Sequence, residues 1–135
     1  MRLAENSKDS TGEFSFVLDK SFESNLQECN KRGIPYGVYI FTRGDTVEKI
    51  KKQANATVTY LKGLENRGIY FRPSYPVYGD FLEQSANTQM NVFYRGEYDK
   101  FVDMMYSFCK IIEDAGYFTG IYANRVSYNK VIEGA

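Results

Sequence analysis

Long amphipathic stretches alternate with short apolar ones along this chain, and that alternation limits the fold more than any other property of the sequence. Residues 21–31 carry Phe22, Leu26 and Cys29 at helical spacing, and Gly33 supplies a stop. Residues 36–41 are short and apolar enough for a buried strand. Helical spacing returns over residues 46–65, where Val47, Ile50, Ala54, Val58 and Leu61 form one stripe. Asp45 is placed to cap that helix and Gly68 to end it. Residues 69–80 are strand-like but broken by Pro73 and Pro76, which leaves 77–80 and a little beyond as the secure strand. Residues 83–95 read as a polar loop. The clearest helix covers 97–115, with Phe101, Met104, Met105, Phe108, Ile111 and Ile112 on its apolar face and Gly116 closing it. A strand over 117–123 and the start of another helix over 126–132 complete the pattern. Such alternation argues for an α/β fold, a parallel sheet with helices packed outside it.

Composition narrows the chemistry. The 135 residues match one domain of ordinary size. Seventeen basic residues balance seventeen acidic ones, which removes the usual argument for a nucleic-acid or polybasic membrane partner. No run approaches the ~18 apolar residues of a membrane-spanning helix. No apolar signal-peptide core follows Met1, Arg2 and Leu3. Histidine is absent, so Ser-His-Asp and Cys-His catalysis and the common zinc sites are excluded. Cys29 and Cys109 are too few for a disulfide scaffold, and both fit half-buried free thiols on helices.

Active sites in β/α folds gather at the carboxyl ends of the strands. Here those ends carry side chains at alternate positions: Tyr39 with Phe41, Tyr78 with Asp80, and Tyr122. If they share one face, three strands offer aromatic rings and a carboxylate to one pocket. The alternative is that the rings simply pack, as a Tyr- and Phe-rich core would. Asp19 suits a structural role at the start of a helix. Asn55, Ala56 and Thr57 match the glycosylation triplet by chance, in mid-helix. Lys49, Lys51 and Lys52 form a solvated helix face, and Glu48 is spaced to pair with Lys52. Arg2, if it ends a strand, comes near the site.

Several segments, in order, resemble glycoside hydrolase family 25, the lysozymes that cut peptidoglycan after N-acetylmuramic acid. Tyr75-Pro76-Val77-Tyr78-Gly79-Asp80-Phe81-Leu82-Glu83 is similar to that family's fourth strand, Pro-Val-x-x-Asp-x-Glu. Asp19-Lys20-Ser21-Phe22-Glu23-Ser24-Asn25 resembles its Asp-x-x-Phe-x-x-Asn helix start. Gly33-Ile34-Pro35-Tyr36-Gly37-Val38-Tyr39-Ile40-Phe41 resembles its third strand, and Gln53-Ala54 a pair in its third helix. The stretch from Ala115 to Asn124 resembles its fifth strand, and Met1-Arg2-Leu3 the end of its second. The resemblance implies a partial β/α barrel of about four parallel strands, a single domain over residues 1–135. It lacks the family's first strand and last three strands, since a full barrel takes roughly 200 residues or more.

The carboxylates depart from the family pattern. In Asp-x-Glu, residues two apart on a strand face the same side, so both carboxyl groups reach one sugar. Here Asp80 aligns with the Asp but Leu82 falls on the Glu, and Glu83 points to the other face unless a bulge re-aims it. The resemblance therefore implies one of two things. The first is a muramidase-like glycosidase with Asp80 as electrostatic helper and Glu83 as general acid, its pKa raised against Phe81. The second is a non-catalytic saccharide-binding or oligomerising module in which Tyr39, Phe41, Tyr78 and Tyr122 hold the sugar. The implied partner is peptidoglycan or a related saccharide, with no cofactor, metal, nucleic acid or membrane. The implied location is extracellular or cell-wall, and open sheet edges invite self-association.

Overall fold

The computed structural model of the protein describes residues 1–8, 14–81, 92–125 and 128–130. Five strands, β1 (Arg2–Lys8), β2 (Phe14–Leu18), β3 (Val38–Phe41), β4 (Val77–Asp80) and β5 (Thr119–Tyr122), form one sheet in the order β2-β1-β3-β4-β5. From β1 to β5 the pairing is parallel, and β2 turns back antiparallel on β1. Helices α1 (Phe22–Arg32), α2 (Val47–Asn66) and α3 (Tyr98–Asp114) connect the parallel strands. This is the α/β parallel sheet that the alternation implies and the partial barrel that the resemblance implies, with an added hairpin. The hairpin escapes the sequence pattern because Glu5, Asn6, Ser7 and Lys8 have no strand-like hydrophobicity. Their pairing with β2 runs through the backbone ladder.

Strand residues segregate by period two. Val38, Ile40, Val77, Gly79 and Phe81 turn to the helices and are buried. There they meet Ile50, Ala54, Leu61 and Leu64 of α2 and Phe101, Met104, Phe108 and Ile112 of α3. Phe81 stands edge-on to Phe101 and Phe108, with ring centroids 6.0 and 6.1 Å away. Gly79 is required by that packing, because a Cβ there would lie 2.9 Å from the rings of both Phe108 and Phe81. In β1 the register to β3 shifts between Arg2 and Ala4, so Leu3 is an extra residue, and Leu3 and Ala4 are both buried.

Local details correct the sequence reading at several points. Thr46 caps α2, its hydroxyl accepting from the Lys49 N–H, while Asp45 pairs with Lys49 Nζ at 2.8 Å. Thr46, one residue after Asp45, holds the extended cap position from which a side-chain oxygen reaches the N–H three residues on. Glu48 pairs with Lys51 rather than Lys52. Val92 and Phe93, at the end of the stretch read as a polar loop, are buried against the core, with Phe93 5.7 Å from Phe101. Cys29 and Cys109 are free thiols, half-buried on α1 and α3. Most of the helix expected over 126–132 lies outside the described residues.

Candidate active site

On the sheet face away from the helices, the ladder sets two rows of side chains. Tyr39 is paired with Tyr78 and Tyr78 with Gly120; one step further toward the carboxyl ends, Phe41 is paired with Asp80 and Asp80 with Tyr122. Neighbours in such a row are separated by one strand spacing, about 4.8 Å. Tyr39, Tyr78, Asp80 and Tyr122 line one open cavity of about 370 Å³. Tyr39 and Tyr122 are 37% and 54% exposed, whereas Asp80 is only 8% exposed at the cavity floor. Gly120 leaves room for the Tyr78 ring, since a Cβ on it would come within 2.9 Å of that ring.

Asp80 is held through its backbone. Its carbonyl accepts from the Thr42 N–H at 3.1 Å and from the buried Thr42 hydroxyl at 2.9 Å. The next peptide N–H, that of Phe81, donates to the Tyr122 carbonyl at 2.9 Å. The loop after β3 is secured in turn by Gln53 of α2, 3% exposed. The Gln53 amide oxygen accepts from the Arg43 N–H, and its nitrogen donates to the Arg43 carbonyl. One side-chain amide thus reproduces the two-bond exchange of a β-bridge. The Arg43 guanidinium lies over the Phe41 ring, 5.0 Å from its centroid.

The structure therefore brings Tyr39, Tyr78, Tyr122 and Asp80 together as the strand ends suggest. Phe41 shares their row but is 7% exposed beneath Arg43. Phe81, expected beside the catalytic acid, packs on the opposite face under α3. Leu82 and Glu83 lie outside the described residues. Arg2 and Glu5 border a separate cleft with Asp19, where Arg2 pairs with Asp19 at 2.7 Å. The Asp19 carboxyl titrates below its ordinary value, first because the Ser21 N–H donates to it and then because of Arg2. That fits its structural role at the start of α1. Thr42, Arg43 and Gln53 were not legible as site residues, although the Gln53-Ala54 pair marked the right turn of α2.

Solved structures share this architecture. The modular autolysin LytC from Streptococcus pneumoniae superposes with a TM-score of 0.73 at 23% identity, over 98% of this chain and 27% of its own. A glycosyl hydrolase 25 of the same organism, GHIP, described as a virulence factor participating in host cell invasion, gives 0.62 at 21% identity, over 97% and 50%. The fold is glycoside hydrolase family 25-like. The spore cortex lytic enzyme SleM of Clostridium perfringens gives 0.67 at 17%, over 98% of this chain and 38% of its own. This chain thus spans half or less of the length of each of these neighbours. No protein-family model and no curated protein matches the sequence. The family-25-like fold places the cavity at the carboxyl ends of its strands, where β/α barrels carry their active sites.

Proposed function

We propose that the cavity on β3, β4 and β5 binds a peptidoglycan-type saccharide, with Asp80 as the carboxylate of a muramidase-like site. The observation that supports this best is the convergence of three tyrosines and a nearly buried Asp80 on one open cavity. Tyrosine offers an apolar face for a pyranose ring and a hydroxyl for its polar edge. A carboxylate under the ring stabilises the positive charge that develops at the anomeric carbon during hydrolysis. The LytC structure determined with a synthetic peptidoglycan ligand supports the same class of ligand.

Hydrolysis needs a second carboxyl group to protonate the leaving oxygen. In this reading Glu83 supplies it. Clearing of purified cell walls between pH 4 and 8, lost in Asp80→Asn and in Glu83→Gln, is the expected result for an enzyme. Leu82 at the expected Glu position favours the second reading, a module that binds the saccharide without cutting it. Tyr122→Ala then abolishes muropeptide or chitooligosaccharide binding while walls stay intact throughout. Absence of both clearing and saccharide-induced chemical-shift changes refutes both readings. Self-association belongs to the same proposal, because β5 has a strand partner on one side alone among the described residues. A monomer by gel filtration at high concentration refutes that part.

A further inference from the structure

Five of the seven arginines pair with a carboxylate; Arg43 and Arg125 do not among the described residues. Both follow the carboxyl end of a cavity-lining strand, Arg43 two residues after β3 and Arg125 three after β5. Arg43 is the more firmly built of the two. Its backbone is clamped on both sides by the buried Gln53 amide, its guanidinium is laid on Phe41, and Phe41 is the register partner of Asp80. Its Nε is buried with no acceptor. No described residue accepts from the rest of the guanidinium either. The two terminal Nη groups are not sealed in this way, and they can meet a carboxylate as a fork of two parallel hydrogen bonds. An acidic ligand entering a cavity floored by Asp80 also meets a like charge, and the cation laid over Phe41, one strand away from Asp80 in the ladder, offsets it.

We propose that Arg43 is a specificity residue of this cavity, binding the carboxylate of an acidic saccharide whose rings rest on the tyrosines. This assignment rests on the saccharide reading above. Arg43 recognises charge and takes no part in bond cleavage.

The test is calorimetric titration with three probes. They are neutral chitotetraose, a peptide-free tetrasaccharide of alternating N-acetylglucosamine and N-acetylmuramic acid, and the methyl ester of the latter. The free acid binds about tenfold more tightly than its ester at low salt, as a charge-assisted fork requires, and the preference shrinks as salt rises. Arg43→Gln removes the preference and leaves ester and chitotetraose affinities within about twofold. Arg43→Lys, which keeps the charge but loses the fork, retains part of the preference and guards against a folding artefact. Ester and chitotetraose binding without any preference for the acid overturns the Arg43 assignment alone. So does an Arg43→Gln variant that weakens all three probes equally. No binding of any probe overturns the saccharide reading and this one with it.

Discussion

Gly79 and Gly120 sit on adjacent strands with ordinary backbone angles, so the same Gly→Ala change at each is a purely steric experiment on opposite faces of the sheet. At Gly79 the new methyl lies 2.9 Å from two atoms of the Phe108 ring and one of Phe81. Unstrained carbon contacts run at about 3.5–4.0 Å, so the rings must retreat by roughly half an ångström or more. They have nowhere to go. Both are fully buried, and Phe81 is backed by Phe101. Overpacking of this kind costs about 1–3 kcal/mol, offset by about 0.4–1 kcal/mol because alanine restricts the unfolded chain. The net loss is about 1–2 kcal/mol. With a urea m-value of about 2 kcal/mol/M, the Gly79→Ala midpoint falls by about 0.5–1 M at unchanged m. Gly120→Ala pushes on the half-exposed Tyr78 ring, which can swing into the cavity. Its stability stays within about 0.5 kcal/mol of the parent, and saccharide binding weakens instead. A Gly79→Ala variant as stable as the parent, or a Gly120→Ala variant that unfolds early, refutes the assignment of faces.

Gln53→Leu leaves the Arg43 N–H and carbonyl without their partner; it lowers stability by about 2 kcal/mol in urea and weakens binding of the acidic tetrasaccharide more than that of its ester. Thr42→Val removes the hydroxyl from the Asp80 carbonyl and costs about 1 kcal/mol by the same measurement, an isosteric change that leaves the core volume intact. Glu23 titrates below its ordinary value because Arg67 and then Tyr60 donate to it. A depressed carboxyl contributes stability that is complete above about pH 4.5 and is lost as pH falls through the lowered folded value. Glu23→Gln therefore flattens the acid limb of a melting-temperature profile below that pH and leaves the shape between pH 6 and 8 unchanged. Tyr60→Phe, removing the hydroxyl that donates to Glu23, has a smaller effect in the same window.

The parallel frame was legible because each of its parts advertises itself locally. Phe101, Met104, Phe108 and Ile112 repeat at helical spacing, and Val77-Tyr78-Gly79-Asp80 follows a proline that marks where the strand can begin. The pocket was legible for a similar reason, since period two puts Tyr78 and Asp80 on one side without knowledge of the fold. What stayed hidden depends on contacts distant in sequence. The β1–β2 hairpin is held by ladder pairs such as Asn6 with Phe16, and the polar run from Glu5 to Lys8 leaves its first strand without a hydrophobic signature. Gln53 reads as one polar residue on a helix until the fold brings it to Arg43. Phe81 looks like a neighbour of the site because it adjoins Asp80 in sequence, yet alternation sends it through the sheet to α3.

The division of labour between the two sheet faces decides which substitutions the fold tolerates. The helices α2 and α3 and the buried rings of Phe81, Phe101 and Phe108 lie on one side, so most of the burial that stabilises this part of the sheet is there. On the other side Tyr39 and Tyr122 stay exposed and carry little of that burial. Substitution of those two rings therefore costs the fold little, whatever it does to the cavity.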